Sequence, residues 1–349
     1  RSSAAAPSLV LLIAARAVQG LGAAVMMALT MAFVGDIVAK SRTGSVMGLL
    51  GTMSATGTAL GPALGGSLIA ACGWPALFLI NVPLGVLTLA LAYRFLPADS
   101  SRLPLDSSKF DPLGSVVLTL TLAAYALAMT MGKGRFDALN LLLLMTAIGG
   151  LALLVLVEKK VAAPLINLAL FGNKVLSASL ALNLLVATVM MATLVVGPFY
   201  LSRTLALKPV LVGVVLSIGP MISALTGVLA GRAVDRFGAS SMVITGLGVM
   251  AAGATALVIL PPLFGVGGYI AAIIVLTPGY QLFMAANNTA VMMDVQANQR
   301  GVIAAMLGLS RNLGLISGAS VMGAIFTVGA ATSNMISASP AAVAAGMML

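Results

Sequence analysis

With no histidine and a single cysteine, Cys72, in 349 residues, the chain lacks the side chains from which most metal centres and histidine-dependent catalytic groups are built. One cysteine forms no internal disulfide, and at the end of an apolar run Cys72 reads as a packing residue. The acids are Asp36, Asp99, Asp106, Asp111, Asp137, Glu158, Asp235 and Asp294. Each lies in a loop or within a turn of the end of an apolar run, and none clusters at metal-ligand spacing. What remains able to do chemistry is a set of polar residues inside apolar runs: Arg16 with Gln19, and Gln281, Asn287, Asn288, Arg311 and Asn312. In a medium without water, such groups bind ligands or one another through hydrogen bonds and charge. The expectation is a binding protein, not an enzyme, with no cofactor and no metal.

The elements that must position these groups follow from composition. Hydrophobic residues make up 60% and charged residues 7%, far from the roughly 25% charge of a soluble domain. Apolar stretches near 9–34, 44–71, 75–96, 113–131, 138–157, 175–201, 209–231, 241–261, 266–290 and 302–330 each approach the ~20 residues needed to span hydrocarbon as a helix. The expected fold is therefore an all-α polytopic membrane protein with about ten transmembrane helices. A barrel would show short alternating segments instead. Trp74, at the end of a run, suits an interfacial anchor.

The formal charge of +10 forms no continuous stripe, so nucleic acid is not an expected partner. Assigning alternate loops to one side collects Lys40, Arg42, Arg94, Arg102, Lys109, Lys159, Lys160, Lys174, Arg232, Arg236 and Arg300 on one face. Only Arg1, Lys133, Arg135, Arg203 and Lys208 fall on the other. The richer face is expected in the cytoplasm by the positive-inside rule, which places the chain in the plasma (inner) membrane. The start at Arg1 offers no charged region before a short apolar core, and reads as a truncated start, not a signal peptide.

DIVAKSRTGSVMGLL (36–50) and DVQANQRGVIAAMLG (294–308) share Asp, Ala and Arg at a constant offset. Each joins the end of one apolar run to the start of the next on the same side, so the chain reads as two related halves. GTALGPALGG (57–66) places Gly57, Gly61 and Gly65 on one helix face, a groove that another helix can approach closely, and Pro62 removes a backbone hydrogen bond and bends the helix. This is either ordinary small-residue packing or a bent contact between the halves that seals the substrate path. Arg16 lies about seven residues inside its run; it either snorkels to the near interface or joins Gln19 in a polar interior cluster beside Gly20 and Gly22. GRAVDRFG (231–238) puts Asp235 and Arg236 in a cytoplasmic loop, where Asp235 can cap a helix start or pair across the bundle, or the loop is a solvated turn. Folding the hairpin near residue 297 brings Arg311 level with Gln281 near the membrane midplane. Gln281, Asn287, Asn288, Arg311 and Asn312 are the cavity candidates, with a purely structural hydrogen-bond network as the alternative.

These motifs resemble the major facilitator superfamily, and within it the fourteen-helix drug:proton antiporters. RAVQGLGAA (16–24) is similar to that family's helix 4 motif, GTALGPALGG to its helix 5 antiporter motif, and GRAVDRFG to the second-half copy of its G-x-x-x-D-R-x-G loop; FLINVPLG (78–85), AANNTAVMMDVQANQRG (285–301) and SRNLG (310–314) also resemble the subgroup. Basic residues usual after the loop motif are replaced by Ala239, Ser240 and Ser241. The resemblance implies that the runs are helices 4 to 13 of a fourteen-helix parent. Residues 1–96 would be the remainder of the first bundle (helices 4–6), 97–174 a linker with two inserted helices, and 175–349 the second bundle lacking its last helix. The inserted pair, with Thr119, Thr121 and Tyr125 among its few polar residues, is expected to face lipid on most sides.

The resemblance implies multidrug-type export of hydrophobic or cationic small molecules by proton antiport, with Gly57, Gly61, Pro62, Gly65 and Gly66 sealing the path and Gly231, Asp235, Arg236 and Gly238 gating it. Arg16, Gln19, Gly20 and Gly22 would serve proton coupling with an acid on a helix outside these residues, so that residues 1–349 alone would insert without coupled efflux. Expected partners are the bilayer, a small molecule and protons, with a monomeric protein. An exporter of lipid, siderophore or amino acid, or a non-transporting membrane receptor or scaffold, are the competing readings.

Overall fold

The computed structural model describes residues 6–72, 79–95, 111–131, 137–161, 164–293, 295–296 and 299–332. The described residues contain helices and connecting turns. They are α1 (Ala6–Ile37), α2 (Thr43–Cys72), α3 (Asn81–Phe95), α4 (Pro112–Met131), α5 (Ala138–Glu158), α6 (Lys174–Phe199), α7 (Pro209–Phe237), α8 (Ala239–Met292) and α9 (Arg300–Thr332). Among the described residues, seven helices are long and apolar enough to cross a membrane, and α3 is a shorter apolar helix. Large apolar side chains lie exposed along them, such as Leu113, Val116 and Leu120 on α4 and Leu141, Leu142 and Met145 on α5. Exposure on this scale suits hydrocarbon as the surrounding solvent.

α8 carries both the 241–261 and the 266–290 stretches, and its 54 residues would reach about 80 Å if straight, more than twice the hydrocarbon thickness. It turns back at Gly265, whose φ of 58° is cheap only for glycine. The two arms then pack backbone to backbone: a Cβ at Gly253 would lie 2.5 Å from Leu276 Cα, and one at Gly279 2.7 Å from the Met250 nitrogen. Pro261 and Pro262 precede the turn, where missing N–H groups help end the first arm.

Other helices associate in pairs: α2 with α7, α6 with α9, α4 with α5, α7 with α8 and α1 with α9. The α6–α9 seam uses small residues. A Cβ at Gly318 would lie 2.5 Å from the Thr188 carbonyl oxygen, while Thr188 Oγ1 donates to the Gly314 carbonyl (3.1 Å) and Asn183 Nδ2 to the Leu307 carbonyl (2.8 Å). In lipid such bonds replace the hydrophobic drive that joins helices in water. The pair α4–α5 is held by buried Asn140, whose Nδ2 donates to the Ala128 carbonyl (2.6 Å), and Tyr125 bonds Ser317 of α9. At its base Asp111 and Glu158 are each 4% exposed. Asp111 Oδ1 accepts from the Gly114 N–H (2.8 Å) and Glu158 Oε2 from the Ile166 N–H (3.3 Å).

Candidate functional site

The first turns of α2 cross the last turns of α7 at close range. A Cβ on Gly48 would fall 2.9 Å from Gly231 Cα, and one on Gly44 2.7 Å from the Gly231 carbonyl oxygen. Only glycine permits backbones this close. Directly above the crossing, Asp235 of α7 closes the start of α2. Its Oδ1 accepts from the Gly44 N–H (2.7 Å) and its Oδ2 from the Ser45 N–H (2.8 Å) and the Ser45 hydroxyl. A carboxylate on free N–H groups at a helix N-terminus is favoured by charge-assisted hydrogen bonds and by the helix dipole. Gly238, with φ 85°, ends α7 through its N–H to the Val234 carbonyl (2.9 Å). Arg236 is exposed and stacks over the Phe237 ring, 5.3 Å from its centroid.

An apolar cluster of Val34, Met47, Leu176, Met292, Ile303 and Leu307 fills the same end of the molecule. That end gathers the start of α2, α6 and α9 and the finish of α1 and α7, hence Lys40, Arg42, Lys174, Arg232, Arg236 and Arg300, the face that the charge pattern assigns to the cytoplasm. Asp235, expected in a loop, lies instead in the last turn of α7 and ties that helix to the start of α2, a contact termed the latch.

Beyond the latch, α1, α2, α6, α7, α8 and α9 line a cavity of about 570 Å³, within the ~300–1,000 Å³ of small-molecule sites. α1 contributes Met26, Met27 and Met31, α2 Met47, α6 Met190 and Met191, and α8 Met284. Unbranched, polarisable methionines repack around differing apolar bodies. Among the polar groups between them are Ser54, Ser223, Thr277, Gln281, Asn288 and Arg311. Gln281 Nε2 donates to the Ser223 carbonyl (2.9 Å), which fixes its amide at the wall.

Of the residues expected at the site, Gln281, Asn288 and Arg311 line the cavity. Asn287 and Asn312 do not. Asn287 is buried with Nδ2 turned to the Ser179 carbonyl (3.4 Å), and Asn312 is exposed. Consecutive helix residues are about 100° apart, and in these two pairs the rotation of the helix turns Asn288 and Arg311 to the lumen and Asn287 and Asn312 away from it. On the helix 5 motif, Gly57 meets open space; the close glycine contact lies earlier on α2, at Gly44 and Gly48. The surroundings of Gly61, Pro62, Gly65 and Gly66 lie outside the described residues, although the helix runs through them to Cys72. On α1, Gln19 is exposed and Gly20 and Gly22 have nothing nearby, so the described part of the helix 4 motif forms no buried polar cluster. The Arg16 side chain lies outside the described residues. Ser223, Thr277 and the methionines of the wall were not singled out by sequence, because a single Ser or Met in an apolar helix carries no pattern. Among the described residues no group of three or more acids or cysteines could hold a metal.

A family model described as Major Facilitator Superfamily matches residues 2–319. The chain belongs to the Major Facilitator Superfamily. It is a multi-pass membrane transporter. Among similar proteins, the uncharacterized transporter YebQ of Escherichia coli is 31% identical over 90% of this chain and 69% of its own length. The riboflavin transporter RibZ of Clostridioides difficile is 27% identical over 90% of this chain and 68% of its own. The multidrug efflux pump LfrA of Mycolicibacterium smegmatis is 28% identical over 93% of this chain and 64% of its own. A multidrug resistance protein B homolog of Mycobacterium tuberculosis, 31% identical, is spanned over 46% of its length.

Proposed function

We propose that this superfamily member exports hydrophobic small molecules from the cytoplasm by proton antiport, alternating between the latched arrangement and one in which the latch is open and the far side is sealed. The observation that carries this reading is the methionine-lined cavity shared by both halves and closed at one end by Asp235. In this reading residues 1–96 and 175–349 are parts of the two rocking bundles, and 97–174 carry the linker and the inserted pair of a fourteen-helix layout. The Gly57–Gly66 face of α2 is the natural partner for a far-side seal, since Gly57 meets open space among the described residues while the latch is shut. Arg16 and Gln19 serve proton coupling.

The multidrug efflux relatives support an exporter of broad specificity; the riboflavin relative supports a narrower one and makes riboflavin a required member of any test panel. In everted vesicles carrying the full-length protein, a pH gradient should drive uptake of hydrophobic dyes, and collapsing the gradient should stop it. Arg16→Ala should uncouple the two. Uptake that ignores the gradient would refute antiport, and gradient-driven uptake of riboflavin alone would replace the multidrug reading.

A further inference from the structure

Arg311 is the sole formally charged residue among the described residues lining the cavity, and no Asp, Glu or Lys lines it. It sits eleven residues into α9, roughly 16 Å from Arg300, near the middle of the ~30 Å hydrocarbon layer. Its Nε is fully enclosed and makes no hydrogen bond among the described residues. Across the same lumen, the Gln281 amide nitrogen is already committed to Ser223. A half-buried guanidinium in an apolar lumen, its enclosed Nε without a partner among the described residues, is an unfavourable charge that an anion relieves through paired, charge-assisted hydrogen bonds. A second cation in the same apolar space meets repulsion with little water to screen it.

We infer that the cavity selects amphipathic organic anions, with an apolar body against the methionines and a carboxylate or sulfonate on Arg311, over cations built on the same body. The inference rests on the proposed function only in taking this cavity as the substrate site. It turns the sequence-based expectation of hydrophobic or cationic substrates towards the opposite sign of charge. Arg311 and not overall hydrophobicity sets the charge class.

Three fluorescent probes on one body separate the possibilities: dansylglycine, dansylamide and a dansyl derivative ending in trimethylammonium. Binding to the full-length protein in nanodiscs is read from probe fluorescence, and transport from vesicles. The carboxylate should bind at least about tenfold more tightly than the trimethylammonium probe, a gap of the size one charge-assisted contact gives. Arg311→Gln should weaken the carboxylate about tenfold relative to the amide, Arg311→Lys should recover part of that ratio, and Arg311→Glu should reverse the order of carboxylate and trimethylammonium. Wild-type preference for the trimethylammonium probe, absence of carboxylate binding, or an equal loss of all three probes in Arg311→Gln would overturn the inference. Carboxylate binding with no transport of any probe would support the inference and count against the export reading.

Discussion

Helix α2 carries glycines along most of its length, yet its two halves behave differently. Gly44 and Gly48, near its start, touch the α7 backbone at Gly227 and Gly231 so closely that no Cβ fits. Two turns on, Gly57 meets nothing, and Thr58 and Leu60 are exposed beside it. Small residues on a helix face therefore mark a surface that another helix is able to contact, not one that it must contact. At the start of α2, the difference is enforced by one carboxylate. Asp235 draws the α2 N-terminus onto α7, and the same helix then diverges to leave room for the cavity.

Making the same change in both halves of α2 is the strongest way to break this comparison. Gly48→Leu should prevent the latch from forming, and full-length protein carrying it should retain membrane insertion while losing more than about tenfold of its transport, because backbone atoms of Gly231 cannot yield to a side chain. A comparable transport rate in vesicles would show that the crossing is not needed. Next in size is Asp235→Asn, which keeps the shape of the cap and weakens its charge-assisted bonds by about 1–3 kcal/mol. The open-latch population should rise about tenfold or more, seen as faster alkylation of a cysteine placed at Ser45 in a Cys72→Ser background. Gly57→Leu should leave the thermal stability of the latched protein within about 0.5 kcal/mol, and slow transport only through the far-side seal. A large loss of stability would mean that this face is packed in the latched state after all. The smallest effect belongs to Arg236→Ala, which removes an exposed stacking contact with Phe237 worth about 0.5–1 kcal/mol and should change transport less than Asp235→Asn does.

Much of the helical layout was legible because spans long enough for hydrocarbon leave an unmistakable run of apolar residues, and the turn at Gly265 falls between two such runs. The cap was legible only in part: Asp235 makes the helix-start contacts that were one of the readings of its motif, but from the last turn of α7 and not from a loop. Gln281, Asn288 and Arg311 stood out as polar groups deep in apolar runs, and they line the cavity. Their neighbours Asn287 and Asn312 stood out equally and point elsewhere, since type alone does not fix rotation about the helix axis. Asn140 and Asn183 were invisible as structural residues; each bonds a backbone carbonyl on another helix, and one amide in a run of leucine gives no spacing to read. The buried pair Asp111 and Glu158 was read as loop acids because both lie at span ends, and only the packing of α4 on α5 brings them indoors. Nothing in the glycine pattern itself separates Gly57, open among the described residues, from Gly48, which meets the α7 backbone.

The central claim is that the Asp235 latch opens and closes as the cavity changes sides. It is tested most directly by electron–electron distance measurement on the full-length protein in nanodiscs, with spin labels at the exposed positions 42 and 232, either side of the α2–α7 crossing. The account predicts two populations, a short distance with the latch shut and a longer one that grows when Asp235→Asn is introduced and when transported substrate and a pH gradient are supplied. A single short distance, unchanged by the substitution and by substrate in a protein that still transports, would contradict it.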